Sequence, residues 1–496
     1  MRQTITTKIR AVLKGVSGTI AAALMTGERS AIPEDVMTAI RDSGLAHLLA
    51  ISGLHIGLVA GIIFFGARGL LALIPPLALR FPIKKWAALA AIAGAFAYAF
   101  IAGATVQTQR ALLMVGMVLV AVILDRRGLS IRLVAWAALA ILVVAPESLL
   151  GPSFQISFAA VTALIATYET LSERRQYREY EHSRLPPWVR EAMFYLAGVA
   201  LTTLIAGVAT APFAIFHFNR FAGYGLAANL IAVPVTALWV MPWAVAAFLL
   251  MLFGFEAAAL TPMGWGVDVI IGVANTVSGW TGAVTLLPAM PTAALAAIAL
   301  GGLWIALWRL RWRYWGLAGM AGGLALAISA SPPDVLVDGQ GRLLAVWAGD
   351  GSVAVSNLRR ARFERGVWLR RFGLEDAGAI WPTTGTSPDQ RLSCDVKGCL
   401  YRKRGQVVAL AFGEAALAED CWVADVVISV VPVRRACPAR IGVIDRFDLW
   451  RDGGAAIWMK ENSIRIETVN GARGERPWVP KRGVPKRGKK KSRSGT

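Results

Sequence analysis

The chain has 496 residues, of which 56% are apolar and only 17% charged, against about 25% charged in an ordinary soluble domain. This ratio excludes a purely soluble enzyme, and aperiodic glycine and proline exclude a collagen-like chain. The net charge of +21 is uneven: residues 1–330 hold 23 Lys and Arg against 13 Asp and Glu, residues 331–480 hold 21 against 18, and residues 481–496 add eight basic residues.

In chain order, Arg2, Lys8, Arg10 and Lys14 alternate at helical spacing with Ile5, Ile9, Val12 and Leu13. They predict an amphipathic helix on the membrane surface rather than a cleaved signal peptide, within an N-terminal segment 1–44. Apolar stretches follow near 46–74, 86–104, 111–125, 132–146, 153–170, 191–216, 225–254, 262–282, 292–308 and 314–330. On the rule of ~20 apolar residues per crossing, these are about ten membrane segments in a core over 45–330. Two are longer than one straight crossing and carry breakers, Ser52-Gly53 in the first and Pro234 with Pro242 in the seventh.

The basic connections are Lys84-Lys85, Arg126-Arg127 with Arg132, Glu173–Arg190, and Arg309-Arg311-Arg313. Lys and Arg accumulate in cytoplasmic loops, so these mark the inner side; the nearly uncharged loops Thr105–Gln109 and Pro146–Pro152 lie outside. The last crossing then delivers residues 331–496 to the outer side, the periplasm of a bacterium with two membranes.

Beyond Ser331-Pro332-Pro333 the pattern shifts to short alternating runs. Leu343–Trp347 and Val353–Leu358 flank Asp350-Gly351, a hairpin-turn dipeptide, and Val407–Phe412 and Val426–Val431 are further strands. The expected architecture is a polytopic α-helical membrane protein followed by a small, mainly-β (α+β) soluble domain over 331–480. A basic tail over 481–496 has the composition of a disordered segment. It invites a nucleic-acid role, and contact with anionic lipid is the competing reading.

All four cysteines, Cys394, Cys399, Cys421 and Cys437, lie in the soluble part. An even count in an oxidising compartment points to two disulfides, with nearest-neighbour pairing expected among three connectivities. A four-thiolate zinc site and free thiols are the alternatives, although the spacings lack paired C-x2-C knuckles.

Histidine is scarce: His47, His55, His182 and His217, with none after residue 330. A histidine-based metal site is therefore excluded from the soluble domain, no phosphate-binding G-x-x-x-x-G-K-[ST] loop is present, and no metal or cofactor is expected. The richest stretch is Ala46–Gly61, AHLLAISGLHIGLVAG. At 100° per residue His47, Ile51 and His55 share one side of a helix with Ser52 nearby, while Gly53, Gly57 and Gly61 form a stripe for close packing on the other. Imidazoles at membrane depth normally face a bundle interior or a wet cavity. Thr105, Gln107, Gln109 and Arg110 open the third span, and Gln155 and Ser157 lie in the fifth. His217, Asn219, Arg220 and Asn229 border the seventh, and Asp268 lies in the eighth. Each serves equally as a helix cap or interhelical bond; together they fit a polar passage. Channel-lining or path-shaping roles are expected of His47, Ser52, His55, Gln107, Gln109, Arg110, Gln155 and Ser157.

The run HLLAISGLHIGLVAG resembles the signature of the ComEC-type competence membrane proteins. TVQTQRALLM at 105–114, PESLLGPSFQISFAAV at 146–161 and AANLIAVPV at 227–235 resemble three further family segments in the family's order. The resemblance spans about 28–330. It implies an inner-membrane channel that admits one strand of transforming DNA to the cytoplasm. The implied partners are single-stranded DNA, a periplasmic DNA receptor, a type IV pilus apparatus and cytoplasmic strand-handling factors; composition adds the lipid bilayer, and a second copy of the chain is a further candidate that the sequence leaves open. Many members also carry an N-terminal OB-like region and a C-terminal metallo-β-lactamase-like domain. Here the match begins almost at the chain start, without the OB-like region. VLVDGQGRLLAVWAGDGSVAV resembles the opening lactamase-like strands, but no H-x-H-x-D-H motif follows. The soluble part thus resembles a shortened, metal-free form, and nuclease activity is not expected. Two other readings remain open: a proton-coupled small-solute transporter exchanging protons at His55 and Asp268, and an intramembrane enzyme using His47, Ser52 and His55. The latter lacks a nearby carboxylate, Asp42 lying outside the helix.

Overall fold

The computed structural model describes residues 2–126, 130–175, 186–474 and 476. Arg127, His182, most of the basic loop 173–190 and the tail 481–496 lie outside the described residues. The chain divides into a helical unit, up to Thr285 together with Met290–Ile328, and a second unit of Leu286–Ala289 with the chain from Ser329 onward.

The helical unit begins with α1 (Arg2–Val12), α2 (Gly15–Thr26), α3 (Glu34–Asp42) and α4 (Ala46–Leu49). Next come α5 (Gly53–Ala72), α6 (Pro75–Arg80), α7 (Ile83–Ile101), α8 (Val106–Ile123) and α9 (Ile131–Val144). Then follow α10 (Pro152–Arg175), α11 (Pro187–Phe218), α12 (Gly225–Val235), α13 (Met241–Leu250) and α14 (Glu256–Ser278), and finally α15 (Thr292–Leu307) and α16 (Trp315–Ile328). Two short strands, β1 (Arg220–Ala222) and β2 (Val284–Leu286), pair with each other. Among the described residues seven helices are long and apolar enough to cross a membrane. In hydrocarbon a helix is one of the few structures that satisfies its own backbone, which explains why apolar composition translates so directly into helices. The expected crossings over 132–146, 292–308 and 314–330 form helices of 14, 16 and 14 residues, short of a straight span.

Three expectations need correction. The N-terminal segment is only partly a surface element: α1 keeps Arg2, Thr7 and Arg10 exposed and buries Thr6 and Ile9, whereas Ala21–Thr26 of α2 are buried in a core shared with α3, α12, α13 and α14. Of the basic residues on α1, Lys8 pairs with Glu256 at 3.0 Å, which ties the helix to the start of α14. Pro234 and Pro242 do not break the seventh segment; the π-helical turn Thr236–Val240 carries the helix from α12 into α13. Residues 46–61 are not one helix, since the backbone leaves helical geometry between α4 and α5 and Ser52 caps α5 by accepting from the Leu54 N–H.

The soluble unit holds two six-stranded sheets. One, in spatial order β14-β13-β3-β4-β5-β6, contains β3 (Val335–Asp338), β4 (Leu344–Trp347), β5 (Val353–Val355), β6 (Ala379–Ile380), β13 (Gly454–Lys460) and β14 (Ser463–Thr468). The other, ordered β12-β11-β10-β9-β8-β7, contains β7 (Gly385–Thr386), β8 (Leu392–Cys394), β9 (Gly398–Lys403), β10 (Gln406–Ala411), β11 (Val426–Ser429) and β12 (Gly442–Ile444). Strand period decides the layers: Leu344 and Val346 of β4 face Tyr401, Val408 and Leu410 of the other sheet, whereas Ala345 points to the opposite face. That outer face is covered by α17 (Arg362–Phe372), and the outer face of the second sheet by α18 (Glu414–Val423). Helices α19 (Arg446–Asp452) and α20 (Val469–Arg473) complete a helix–sheet–sheet–helix sandwich. Asp350-Gly351 makes the turn between antiparallel β4 and β5, with Gly351 at φ +83°, where glycine alone avoids a Cβ penalty. Two disulfides join Cys394 to Cys399 and Cys421 to Cys437.

Candidate functional site

Consecutive membrane helices run antiparallel, so their ends sort into two sets. At one end, Lys84 and Lys85 at the start of α7 meet Asp125 after α8, at 3.8 and 2.7 Å, and Arg309 meets Glu169 at 2.5 Å. The starts of α5, α8, α10 and α12 and the ends of α2, α7 and α11 belong to the opposite end. Tyr98 of α7 donates to Leu24 O of α2 at 2.7 Å there, and Arg220 pairs with Asp42 at 2.8 Å. Almost every polar residue singled out from the sequence falls at this second end; Asp268, in the middle of α14, is the exception. The intervening parts of α5, α7 and α8 carry alanine, leucine, isoleucine, valine and phenylalanine.

Two polar groups form at that end. The first surrounds the α4–α5 break. His47 is exposed and its Nδ1–H donates to Gly44 O at 3.0 Å. Ser52 Oγ lies 3.4 Å from Nδ1 of His55, a long contact, while His55 is fully buried and its Nε2 has no partner among the described residues. His47 and Arg29 both stand within electrostatic range of His55. The second group crosses α8, α10 and α11. Arg110, buried apart from 7% of its surface, donates from Nη2 to Ser153, with Nε and Nη1 unpartnered among the described residues. Two residues along α10, Gln155 accepts from His217 Nε2 at 2.8 Å and donates to Leu149 O at 3.0 Å. Gln107 and Gln109 are exposed, Gln109 donating to Ala104 O at 2.8 Å, and Ser157 is half-buried. No hydrogen bond among the described residues links the two groups.

This geometry corrects the helical-face reading. Because α4 and α5 are separate, His47 turns to the surface while His55 is buried, and the two rings do not share one face of a continuous helix. The glycine stripe is also open: a Cβ at Gly53 or Gly61 meets nothing within 4 Å, and one at Gly57 only reaches Val115 at 4.0 Å. Close approach occurs instead between α15 and α16, where a Cβ on Gly316 falls 2.4 Å from Gly301 O. Arg220 is neutralised by Asp42, and Asp268 is bonded to Ser17. A small cavity of about 20 Å³ in the helical unit, lined by Ile20, Leu24, Leu48, Thr236 and Ile270, has room for no more than a water. Sequence reasoning missed Ser153, the partner of Arg110; its place just after Pro152 in the first turn of α10 was the available signal.

Among the described residues no group of three or more His, Cys, Asp or Glu is placed to hold a metal ion. The soluble unit has no histidine, so the catalytic metal of a lactamase-like hydrolase does not fit its residues.

A family model described as "Competence protein" matches residues 24–312, which takes in both polar groups. The chain belongs to this family. It is 41% identical over 148 residues to "Competence protein ComA" of Neisseria gonorrhoeae, covering 29% of this chain and 20% of the relative. It is 26% identical over 252 residues to "ComE operon protein 3" of Bacillus subtilis, covering 51% and 29%. It is also 29% identical over 221 residues to "Recombination protein 2" of Haemophilus influenzae, covering 44% and 27%. Each match thus covers less than a third of the relative's length. No solved structure matches. With seven helices of membrane-spanning length and composition, this competence-family chain is a polytopic membrane protein followed by a sheet-rich domain.

Proposed function

We propose that the chain is the membrane core of a DNA-uptake channel that passes single-stranded transforming DNA into the cytoplasm. The observation that carries this reading is a coincidence of position. The stretch matched by the competence family is the one that gathers buried and exposed polar side chains at a single end of an otherwise apolar bundle. Unpartnered buried polar groups are costly, so their retention in a membrane unit favours function over packing.

The polar end is the mouth, on the outer side, and the basic connections lie in the cytoplasm. His47, Gln107 and Gln109 are the accessible groups there. Ser52, Gln155 and Ser157 shape its wall, and Arg110 draws a phosphate inward. His55 sits behind them. The helices below the mouth are closed in this structure, so passage requires them to part, driven by partners: the periplasmic DNA receptor, the pilus apparatus and cytoplasmic strand-handling factors. The chain resides in the inner membrane with its C-terminal domain in the periplasm, where disulfides persist. That domain is a metal-free lactamase-like sandwich that leaves DNA uncut. The transporter alternative is not favoured, because Asp268 and His55 belong to different parts of the unit. The enzyme alternative lacks a carboxylate beside His55, and Ser52 serves as a helix cap.

The test is uptake of labelled DNA into a protease-protected compartment in a strain deleted for this chain. Restored uptake with the parent chain and loss with Arg110→Met at equal protein level supports the reading. Equal uptake with and without the chain overturns it.

A further inference from the structure

The soluble unit carries a concentrated positive strip. Of the 21 basic and 18 acidic residues in 331–480, six arginines and one glutamate fall within 357–372, which leaves 15 against 17 elsewhere. The strip is the turn after β5 together with α17, the crossover that links β5 to parallel β6. Local chemistry holds it firmly. Asn357 Oδ1 accepts from the N–H groups of Arg359 and Arg360 at 2.7 and 2.9 Å, and Ala361 turns the chain at φ +48° into the helix. Leu369 and Phe372 are buried under the sheet, Phe372 stacking on Trp347 with centroids 5.1 Å apart.

Helical geometry then fixes the opposite face. With Leu369 and Phe372 inward, Phe363 and Arg370 lie two turns apart on the outward face beside Arg371, while Arg362, exposed in the first turn, stands nearer the sheet side. Phe363 is 78% exposed, and Arg359, Arg360, Arg362, Arg370 and Arg371 are exposed without an ion pair among the described residues. One carboxylate, Glu364, shares the outward face beside Arg371, and Glu375 and Asp376 follow the helix, so guanidinium groups remain in excess on the strip.

We infer that this strip is a binding surface for single-stranded DNA, with Phe363 stacking on an unpaired base and the surrounding guanidinium groups holding phosphates. The inference rests on the uptake reading above and gives the soluble domain a part in it. Every basic residue of the strip is arginine, whose planar fork pairs with phosphate oxygens bidentately. An exposed aromatic ring ringed by cations is the platform that single strands use, whereas a duplex keeps its bases stacked on each other. A membrane surface is a poorer partner, because the apolar side of α17 is committed to the sheet and its outward face offers one large apolar side chain for insertion.

The full chain in phosphatidylcholine nanodiscs is titrated with a fluorescent thirty-nucleotide oligo-dT at several salt concentrations. Phe363→Ala is expected to weaken binding roughly tenfold by loss of stacking. Arg362→Ser/Arg370→Ser/Arg371→Ser is expected to weaken it at least tenfold and flatten the slope of log affinity against log salt by about 2. Arg434→Ser/Arg435→Ser, remote in sequence, leaves both unchanged, and the basic tail contributes equally to every variant. Intact disulfides and unchanged elution confirm folding, since none of these side chains is in the core. Parent-like affinity in folded Phe363 and arginine variants overturns the inference, as does a loss of binding to phosphatidylglycerol nanodiscs with oligo-dT binding intact. The transformation assay is scored separately: restored uptake beside unaffected oligo-dT binding sinks only this surface, and no uptake beside strip-dependent binding sinks only the channel reading.

Discussion

Replacing Arg110 by methionine separates a functional charge from a structural one. The guanidinium makes one charge-assisted bond, from Nη2 to Ser153, and leaves Nε and Nη1 unpartnered among the described residues in a nearly buried site. A bond of that kind contributes about 1.5–3 kcal/mol, and each unsatisfied buried donor costs about 1–3 kcal/mol. Losing the first while relieving two of the second, about 2–6 kcal/mol in all, leaves the exchange neutral or favourable, and methionine keeps most of the packing of the aliphatic stem. Arg110→Met is therefore expected to leave stability unchanged or raise it by up to about 3 kcal/mol, while transformation falls at least tenfold. Ser153→Ala strands a third nitrogen and is expected to destabilise by about 1–3 kcal/mol, more than removal of the arginine itself. The double variant recovers most of that loss, because its cause has gone. Thermal unfolding of the full chain in detergent, followed by tryptophan fluorescence, measures the stabilities. A larger fall for Arg110→Met than for Ser153→Ala refutes the reasoning and makes Arg110 a structural residue.

Three further outcomes follow from the coordinates. Removing the Cys421–Cys437 bridge, which closes 16 residues, should cost the soluble unit about 3 kcal/mol, against about 2 for the five-residue Cys394–Cys399 bridge; protease resistance of serine double variants ranks the two, and the reverse order contradicts the chain-entropy account. Burial, with the charges of Asp395 and Glu419, pushes the Asp420 carboxyl up to about 6 from its ordinary 3.8. The folded state then holds the proton more tightly than the unfolded one, so this contribution is fully present below pH 3.8 and lost as pH rises through 6. Asp420→Asn should raise stability at pH 7.5 and flatten the pH 4–7 profile relative to the parent in about that window, read by urea titration; an unchanged profile contradicts it. Gly316→Val drives a Cβ to within 2.4 Å of Gly301 O and should part α15 from α16 at a cost of about 1–3 kcal/mol. Cysteine cross-linking between the two helices reports the separation, and parental cross-linking speaks against it.

Composition and local pattern already determined that this chain lives in a membrane and ends in a sheet-rich domain. Runs such as 86–104 and 191–216 have only helices open to them in hydrocarbon, and Asp350-Gly351 between alternating strands has few turns other than a hairpin. Four short motifs in order were enough to place the family. What lay beyond sequence was which residue meets which. Helical arithmetic put His47 and His55 on one face only if the helix was unbroken, and Ser52 ended that premise by capping α5. The glycine stripe permitted a close neighbour without supplying one, because approach depends on a second helix being there; α15 and α16 supply it to each other. Arg110 with Ser153 and Gln155 with His217 join positions 43 and 62 residues apart, separations at which no local periodicity carries information. The amphipathic pattern of α1 was legible, but not what its apolar side meets: Ile9 enters a core shared with α2 and α14, and Lys8 finds Glu256 almost 250 residues away.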